Sequence, residues 1–351
     1  MFHRIIDEDL LNIYNRNIDW HRFDNKTVFV SGAYGMLASY IVFMLSFLYR
    51  EKGINVKVIA QGRSENKAIN RFSDVWNDNN FVYCSKDIVK DILLDIEADY
   101  FIHAAGLTDP RVYSVYPVEV IEPNTIGTYN LLSLAKKRHA NGFLFFSSGD
   151  VYGKVDESIG IDETTIGRVD PIDEHACYGE SKRLGESLCA AFYREYGIRT
   201  CSARIAHTYG PTMDIIHDSR VFSSFMKCAI EGKDIEILSD GLSKRSFCYI
   251  ADAVAAFFII LLDGKGGEVY NVCNSQEFLS VRELADVVAS ISKKGKPKII
   301  YADRKDSDPY LESRDNKSNR FIEKKLMMLG WECEFDCRKG FKRVYDYLRQ
   351  A

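Results

Sequence analysis

Apolar residues near the start of the chain (Ile5, Ile6, Leu10, Leu11 and Tyr14) recur with helical spacing, which predicts an amphipathic helix over 4–20. The pattern then changes. Lys26 to Ser31 reads KTVFVS, a compact β-branched run that predicts a buried strand. A short glycine-containing turn leads into an apolar stretch from Met36 to Tyr49. Its 14 residues fall short of the ~20 that span a bilayer, so it reads as a buried helix. Further strands are expected at Val56–Ala60, Phe81–Cys84, Tyr100–His103, Phe143–Ser147 and Thr200–Ile205. Helices are expected over Ile121–His139 and Tyr178–Tyr196, the latter with Leu184, Leu188, Ala191 and Phe192 as its apolar positions. Strands alternating with helices of this length imply an α/β fold, a doubly wound parallel sheet covered on both faces.

Beyond Ile205 the alternation breaks up. Helices are expected at Ser219–Glu231, Ile250–Leu262 and over 280–293, where Val281, Leu284, Val287 and Val288 share a side. Turns fall at Asp240-Gly241 and Gly264–Gly267, and charge density rises from Lys293 to Lys325. The expected organisation is a helical extension over 1–24, a sheet domain over 25–205, and a smaller C-terminal lobe over 206–351 with some segments returning to the sheet. There are no repeats and no low-complexity linker.

Composition agrees with one large globular α/β unit with an appended lobe: 351 residues, 46% hydrophobic and 27% charged. A net charge of −4 gives no electrostatic reason to bind nucleic acid or an anionic membrane. The nine cysteines are scattered, and several sit in apolar runs such as Ser187-Leu188-Cys189-Ala190-Ala191, which fits free thiols in a reducing cytoplasm. Cys333 and Cys337 lack a second pair or a histidine cluster, so no metal is expected. Met1 to Asp9 carries acids and lacks the apolar core of a secretory signal.

Ser31-Gly32-Ala33-Tyr34-Gly35-Met36-Leu37-Ala38 follows the first strand and opens a helix. Gly32 permits a tight turn, and Gly35 lets the backbone approach a pyrophosphate at the helix N-terminus, beside Met36 and Leu37. Ala38 keeps the third position small. This turn at the start of an α/β chain predicts a Rossmann-type dinucleotide site. The second strand ends Ala60-Gln61-Gly62-Arg63, with no acid for the adenosine ribose. NAD is the expected cofactor, and Arg63 leaves NADP open. Asp87 and Ile88, after the third strand, are candidates for the adenine. Ala104, Ala105 and Gly106 offer small residues where the fourth strand passes the cofactor.

Tyr178-Gly179-Glu180-Ser181-Lys182 places a phenol and an ammonium at i and i+4, on one helix face. Such an ammonium is expected to lower the phenol's pKa and make it a base near neutrality. Ser148 ends the fifth strand 30 residues earlier and can hold the same substrate oxygen.

With Gly32-x-x-Gly35, Ser147-Ser148-Gly149-Asp150-Val151-Tyr152-Gly153, Tyr178-x-x-x-Lys182 and Arg204-Ile205-Ala206-His207-Thr208-Tyr209-Gly210-Pro211 in that order, the chain resembles the NAD-dependent epimerase/dehydratase family over roughly 25–348. Met213 to Phe225 and Lys244-Arg245-Ser246-Phe247 look most like UDP-glucuronate decarboxylases, with sugar-nucleotide 4,6-dehydratases close behind. The resemblance implies a homodimer acting on a nucleotide diphosphate sugar. It implies oxidation at C4 with Tyr178 as base, aided by Lys182 and Ser148, then decarboxylation or 4,6-dehydration. Epimerisation is the rival reaction, and a catalytically silent dinucleotide-binding regulator the rival of another class. The resemblance puts Lys182 beside the cofactor, and Arg245 and Arg314 toward the diphosphate or the sugar. His207 lines the sugar pocket or is a satisfied core histidine. Four positions depart from the pattern. Gly149 and Asp150 stand where dTDP-glucose 4,6-dehydratases carry their acid pair, Asp150 also where decarboxylases and GDP-mannose dehydratases keep a glutamate, His207 where asparagine is usual, and Thr212 where decarboxylases usually have arginine.

Overall fold

The computed structural model describes residues 2–91, 95–155, 160–218, 220–295, 297–302 and 320–350. Twelve strands are present among these residues: β1 (Lys26–Ser31), β2 (Val56–Gly62), β3 (Phe81–Ser85), β4 (Tyr100–His103), β5 (Gly142–Ser148), β6 (Thr200–Ile205), β7 (His207–Tyr209), β8 (Ile235–Ile237), β9 (Lys244–Tyr249), β10 (Glu268–Val272), β11 (Phe278–Ser280) and β12 (Ile299–Tyr301). Seven of them form one parallel sheet in the order β10-β6-β5-β4-β1-β2-β3. Winding reverses between β1 and β4, whose C-terminal ends meet at the Ser31–His103 pair. In a doubly wound sheet the crevice at such a reversal is where a ligand sits.

Side-chain alternation along the strands feeds two cores. Val28 and Val30 join a core with helices α1 (Arg4–Tyr14), α2 (Met36–Lys52) and α8 (Ile250–Asp263). Phe29, Phe101, Phe143 and Phe145 face the opposite layer, which holds α5 (Thr128–Lys137) and α6 (Ala176–Tyr196). α8 is buried from Ile250 to Leu262 and apolar on every face but for Asp252, which pairs with Arg16 at 2.7 Å, as a helix sandwiched inside the molecule requires. It and β10 bring the chain back to the large sheet after residue 206.

The remaining helices are α3 (Glu65–Arg71), α4 (Pro117–Glu122), α7 (Val221–Glu231), α9 (Val281–Ile291), α10 (Lys324–Met327) and α11 (Cys337–Leu348). A three-stranded sheet β11-β9-β7 and the pair β12-β8 build the smaller lobe.

Two helices differ from the periodicity. The first stops at Tyr14 rather than running to residue 20. Asn15, Arg16 and Asn17 break its apolar face, and the Trp20 indole donates to the Tyr14 carbonyl at 2.9 Å, closing the end. The helix expected over 121–139 starts earlier, at Pro117, and is interrupted by a π-turn over Pro123–Gly127 before α5 resumes. Pro123 has no N–H to give the helical ladder, which favours a local rearrangement there. Among the described residues no helix is long and apolar enough to cross a membrane.

Candidate functional site

The glycine turn lies at the winding reversal. Gly32 has φ +62°, and a Cβ there would stand 2.6 Å from the Ala105 Cα. Only glycine meets both demands. Gln61, buried at the end of β2, accepts the Gly32 N–H at 3.2 Å and donates its amide to the Lys86 carbonyl, so the turn is fixed to β3. α2 opens at Gly35 without a side-chain cap, leaving the N–H groups of its first turn, at Met36 and Leu37, to face an anion. On the other side of the crevice the Ser31 hydroxyl accepts the N–H groups of Ala104 (3.1 Å) and Ala105 (3.2 Å). The His103 Nε2 meets the Pro123 carbonyl at 3.0 Å, so it carries the proton and Nδ1 accepts from Ser31 at 2.7 Å. Burial holds His103 neutral, down to about 3. A capless helix end beside a backbone-lined crevice fits a dinucleotide pyrophosphate.

The other cofactor candidates differ in their freedom. The Tyr34 ring packs over Gly62, where a Cβ would meet it at 2.4 Å. Arg63 is exposed at the end of β2. Asp87 accepts the Val89 N–H at 2.9 Å and is committed to its own turn. Ile88 is buried against Gly127 of the π-turn. Gly106 lies between Asn124 Oδ1 and Lys182 Nζ.

Tyr178 and Lys182 are both buried on α6. The Tyr178 ring stacks on Tyr113 with centroids 5.0 Å apart. The Lys182 Nζ lies 5.7 Å from the Tyr178 ring centroid and donates to the Phe146 carbonyl at 2.7 Å. The expected lowering of the phenol's pKa is not found in the chain itself. Burial pushes Tyr178 up and the Asp150 carboxylate adds to this, while a hydrogen bond with Ser148 opposes it. Lys182 is pulled down to about 7 by its own burial and turns to a carbonyl. Desolvation outweighs the pair attraction here.

The substrate-side candidates converge on the same place. Ser148 donates to Asp150 Oδ2 at 3.3 Å. Asp150 in turn acts on Arg245, whose pKa burial pulls down and that carboxylate pulls up. Arg245 also donates to Ser243 Oγ (2.6 Å) and the Lys244 carbonyl (2.8 Å). His207, on β7, is held neutral at about 3 by burial and by the charges of Arg245 and Arg220. Arg314 lies outside the described residues. Gly149 is filled from across the molecule: a Cβ there would stand 2.5 Å from the Phe321 ring. Among the described residues no cluster of metal-ligating groups is present.

Four site residues escaped the sequence reading. Arg220 is held by Asp218 (2.9 and 2.7 Å) near Tyr178. Asn124, in the π-turn, gives its amide to Val120 O and Ser181 Oγ, and its buried Oδ1 has no partner. A proline inside a helical pattern was its one signal. Tyr113 had none, because only folding brings it to the pair, whereas Glu186 was signalled by its spacing, four residues after Lys182 on the same helix face.

A segment after β7 crosses the crevice. Thr212 Oγ1 donates to the Met36 carbonyl at 3.2 Å, at the start of α2. Five residues on, the His217 carbonyl accepts from Arg111 at 2.5 Å, on the β4 side.

The family model for the NAD dependent epimerase/dehydratase family matches residues 28–273. UDP-glucuronic acid decarboxylase 4 of Arabidopsis thaliana is 33% identical over 92% of this chain and 68% of its own length. UDP-glucuronic acid decarboxylase 1 of Xenopus tropicalis is 29% identical over 93% and 73%. Among solved structures, UDP-glucose 4-epimerase of Thermotoga maritima with UDP-glucose superposes with a TM-score of 0.77 at 22% identity, covering 92% of this chain and 99% of that one. dTDP-glucose 4,6-dehydratase of Bacillus anthracis in complex with NAD gives 0.75 at 20%, covering 93% and 97%. At such identities these two show the fold alone.

Proposed function

The chain belongs to the NAD-dependent epimerase/dehydratase family, and from that premise we propose that it is a nucleotide-sugar decarboxylase that oxidises a UDP-linked uronic acid at C4. The observation that carries this reading over dehydration of the dTDP-glucose type is the packing at Gly149. Phe321 fills the space from which a separate acid would act in water elimination. The decarboxylase relatives at 33% identity support the same choice.

The residues that would hold NAD are the Gly32–Leu37 turn for the pyrophosphate, Ala104–Gly106 along the crevice, and Lys182 for the nicotinamide ribose. Bound oxidised NAD supplies the acceptor for the C4 hydride and a positive ring that offsets the burial cost of a Tyr178 phenolate. Tyr178 takes the proton of the 4-hydroxyl, and Ser148, bonded to Tyr178, keeps that oxygen in line. The 4-ketone makes the C5 carboxylate a β-keto acid. It leaves as carbon dioxide, its bonding electrons pass to the C4 oxygen, and Tyr178 and Ser148 can donate to that oxygen. Protonation at C5 restores the 4-ketone, C4 takes its hydride back from the reduced cofactor, and Tyr178 gives back the proton, so the net change is the loss of carbon dioxide alone. Arg245, which feels the Asp150 charge, is suited to the carboxylate or the diphosphate. Exposed Val118, Ile126, Tyr129 and Leu184 on α4, the π-turn, α5 and α6 support a homodimer through these helices. Nine free cysteines suit a reducing cytoplasm.

The test is a panel of UDP-glucuronate, dTDP-glucose and GDP-mannose with product masses read out. Loss of 44 Da as carbon dioxide (about 44 from C and two O) from UDP-glucuronate alone is expected, consistent with the chemistry of a cofactor-assisted β-keto acid. Loss of water, or an isomer of unchanged mass, would assign the rival reactions, and silence with every sugar the regulator. Tyr178→Phe is expected to lower turnover by about 10²–10⁴-fold with NADH fluorescence still reporting binding.

A further inference from the structure

Glu186 is a buried acid beside the reacting pair that the mechanism above leaves without a task. It follows Lys182 by one helical turn on α6, so both side chains lie on one face. Its side chain is 10% exposed. Its carboxylate accepts Ser147 Oγ at 2.5 Å, Arg204 Nε at 2.9 Å and Arg204 Nη2 at 2.7 Å. Ser147 and Arg204 are register partners at the ends of β5 and β6. The residue before Ser147 is Phe146, whose carbonyl accepts the Lys182 ammonium. The contacts close a ring: Lys182 to Phe146, along β5 to Ser147, across to Glu186, and back along α6.

We propose that Glu186 is a positioning residue for the Tyr178–Lys182 pair: clamped by Ser147 and Arg204, it fixes the carbonyl on which Lys182 rests and supplies the buried negative charge opposite its ammonium. The proposal rests on the reading of Tyr178 and Lys182 as the reacting pair.

The surroundings of Lys182 leave this charge to Glu186. On its own helix lies Tyr178, held protonated by burial in the chain itself. From β5 come the Phe145 ring, 4.9 Å from Nζ, and the Phe146 carbonyl. From β4 comes His103, held neutral. Asn124 in the π-turn brings an uncharged amide. Arg204, at the end of β6, is itself engaged by Glu186 through two bonds. Burial brings Lys182 down to about 7, and Glu186 is the group that opposes that fall. Take its charge away and the ammonium loses its proton at lower pH.

Glu186→Gln keeps an oxygen for Ser147 and Arg204 and removes the charge. In the holoenzyme, the alkaline limb of kcat/KM is expected to move to lower pH by about one unit or more, with a smaller movement in the same direction for Glu186→Asp. The same shift is expected without turnover, in a 13C-NMR titration of protein labelled at the lysine ε-carbons, with the Lys182 signal assigned by its loss in Lys182→Met. Activity lowered equally at every pH, with the Lys182 titration unmoved, would reduce the clamp to a structural support and overturn the proposal. If the glutamine variant does not fold, Glu186→Ala, which also removes the charge, decides, and an unshifted Lys182 there overturns the proposal equally. A wild-type enzyme that turns over no sugar nucleotide would refute the decarboxylase reading, while the lysine titration would still judge Glu186.

Discussion

At Gly149 the space a side chain would need already belongs to Phe321. The residue is small because a ring from the far end of the chain closes over it. That gives the missing acid of the dehydratase pattern a structural cause. Gly149→Asp is expected to force the ring aside and cost about 1–3 kcal/mol, read as a lower melting temperature, without gain of water elimination. A variant as stable as the parent would show that Phe321 yields freely. Tyr178 and Lys182 are the opposite case. Their pairing was legible because a spacing of four fixes a shared helix face. Their electrostatics were not, because desolvation depends on what covers the face, and here it raises the phenol and lowers the ammonium.

Among the elements, the strand–turn–helix at Lys26–Lys52 was the easiest to read, since its glycines and its apolar run are contiguous. The segment after β7 was legible only as a resemblance over Met213 to Phe225, and its ties were not. It matters because Thr212 ties it to the start of α2 and Arg111 ties it to the loop after β4, so it bridges the two walls of the cofactor crevice. Arg111→Ala removes the second tie and keeps the first. Its expected effect is faster release of NADH in stopped-flow fluorescence, by about tenfold, the equivalent of ~1.4 kcal/mol from one charge-assisted bond. An unchanged off-rate would mean that the segment does not hold the cofactor in. The π-turn shows the same limit. Pro123 announced a disturbance, but only packing against α6 and β4 decided that Asn124 should face Gly106.

For the molecule as a whole, stability near neutrality depends on buried groups that stay neutral. His103 and His207 have folded pKa values of about 3, below the usual histidine value of 6.5. The unfolded chain binds those protons first. Their contribution is therefore full above about pH 6.5 and is lost progressively as pH falls from there toward 3. Asp9, which lies between Tyr40, Tyr249 and Arg343, is raised to about 6 from 3.8 and acts in the opposite sense between those values. Asp7 and Asp252 are raised by burial too, but the paired carboxylates of Asp218, Glu268 and Asp346 are lowered and act with the two histidines, so the midpoint of urea unfolding is expected to fall from pH 6.5 to 4. A midpoint flat over that range would mean that the imidazoles are not buried as neutral bases.

The chain by itself determined the parallel sheet, the glycine turn and the phenol–ammonium helix, because each is written in contiguous periodicity: two for strands, 3.6 for helices, a fixed offset for side chains on one face. The short strands of the smaller lobe, the return of α8 and β10 to the large sheet, the covering of Gly149 by Phe321 and the clamp on Glu186 were decided only by the tertiary structure. Each joins residues far apart in sequence, and burial, volume and charge at such meeting points are properties of the packed neighbours, which no local pattern records.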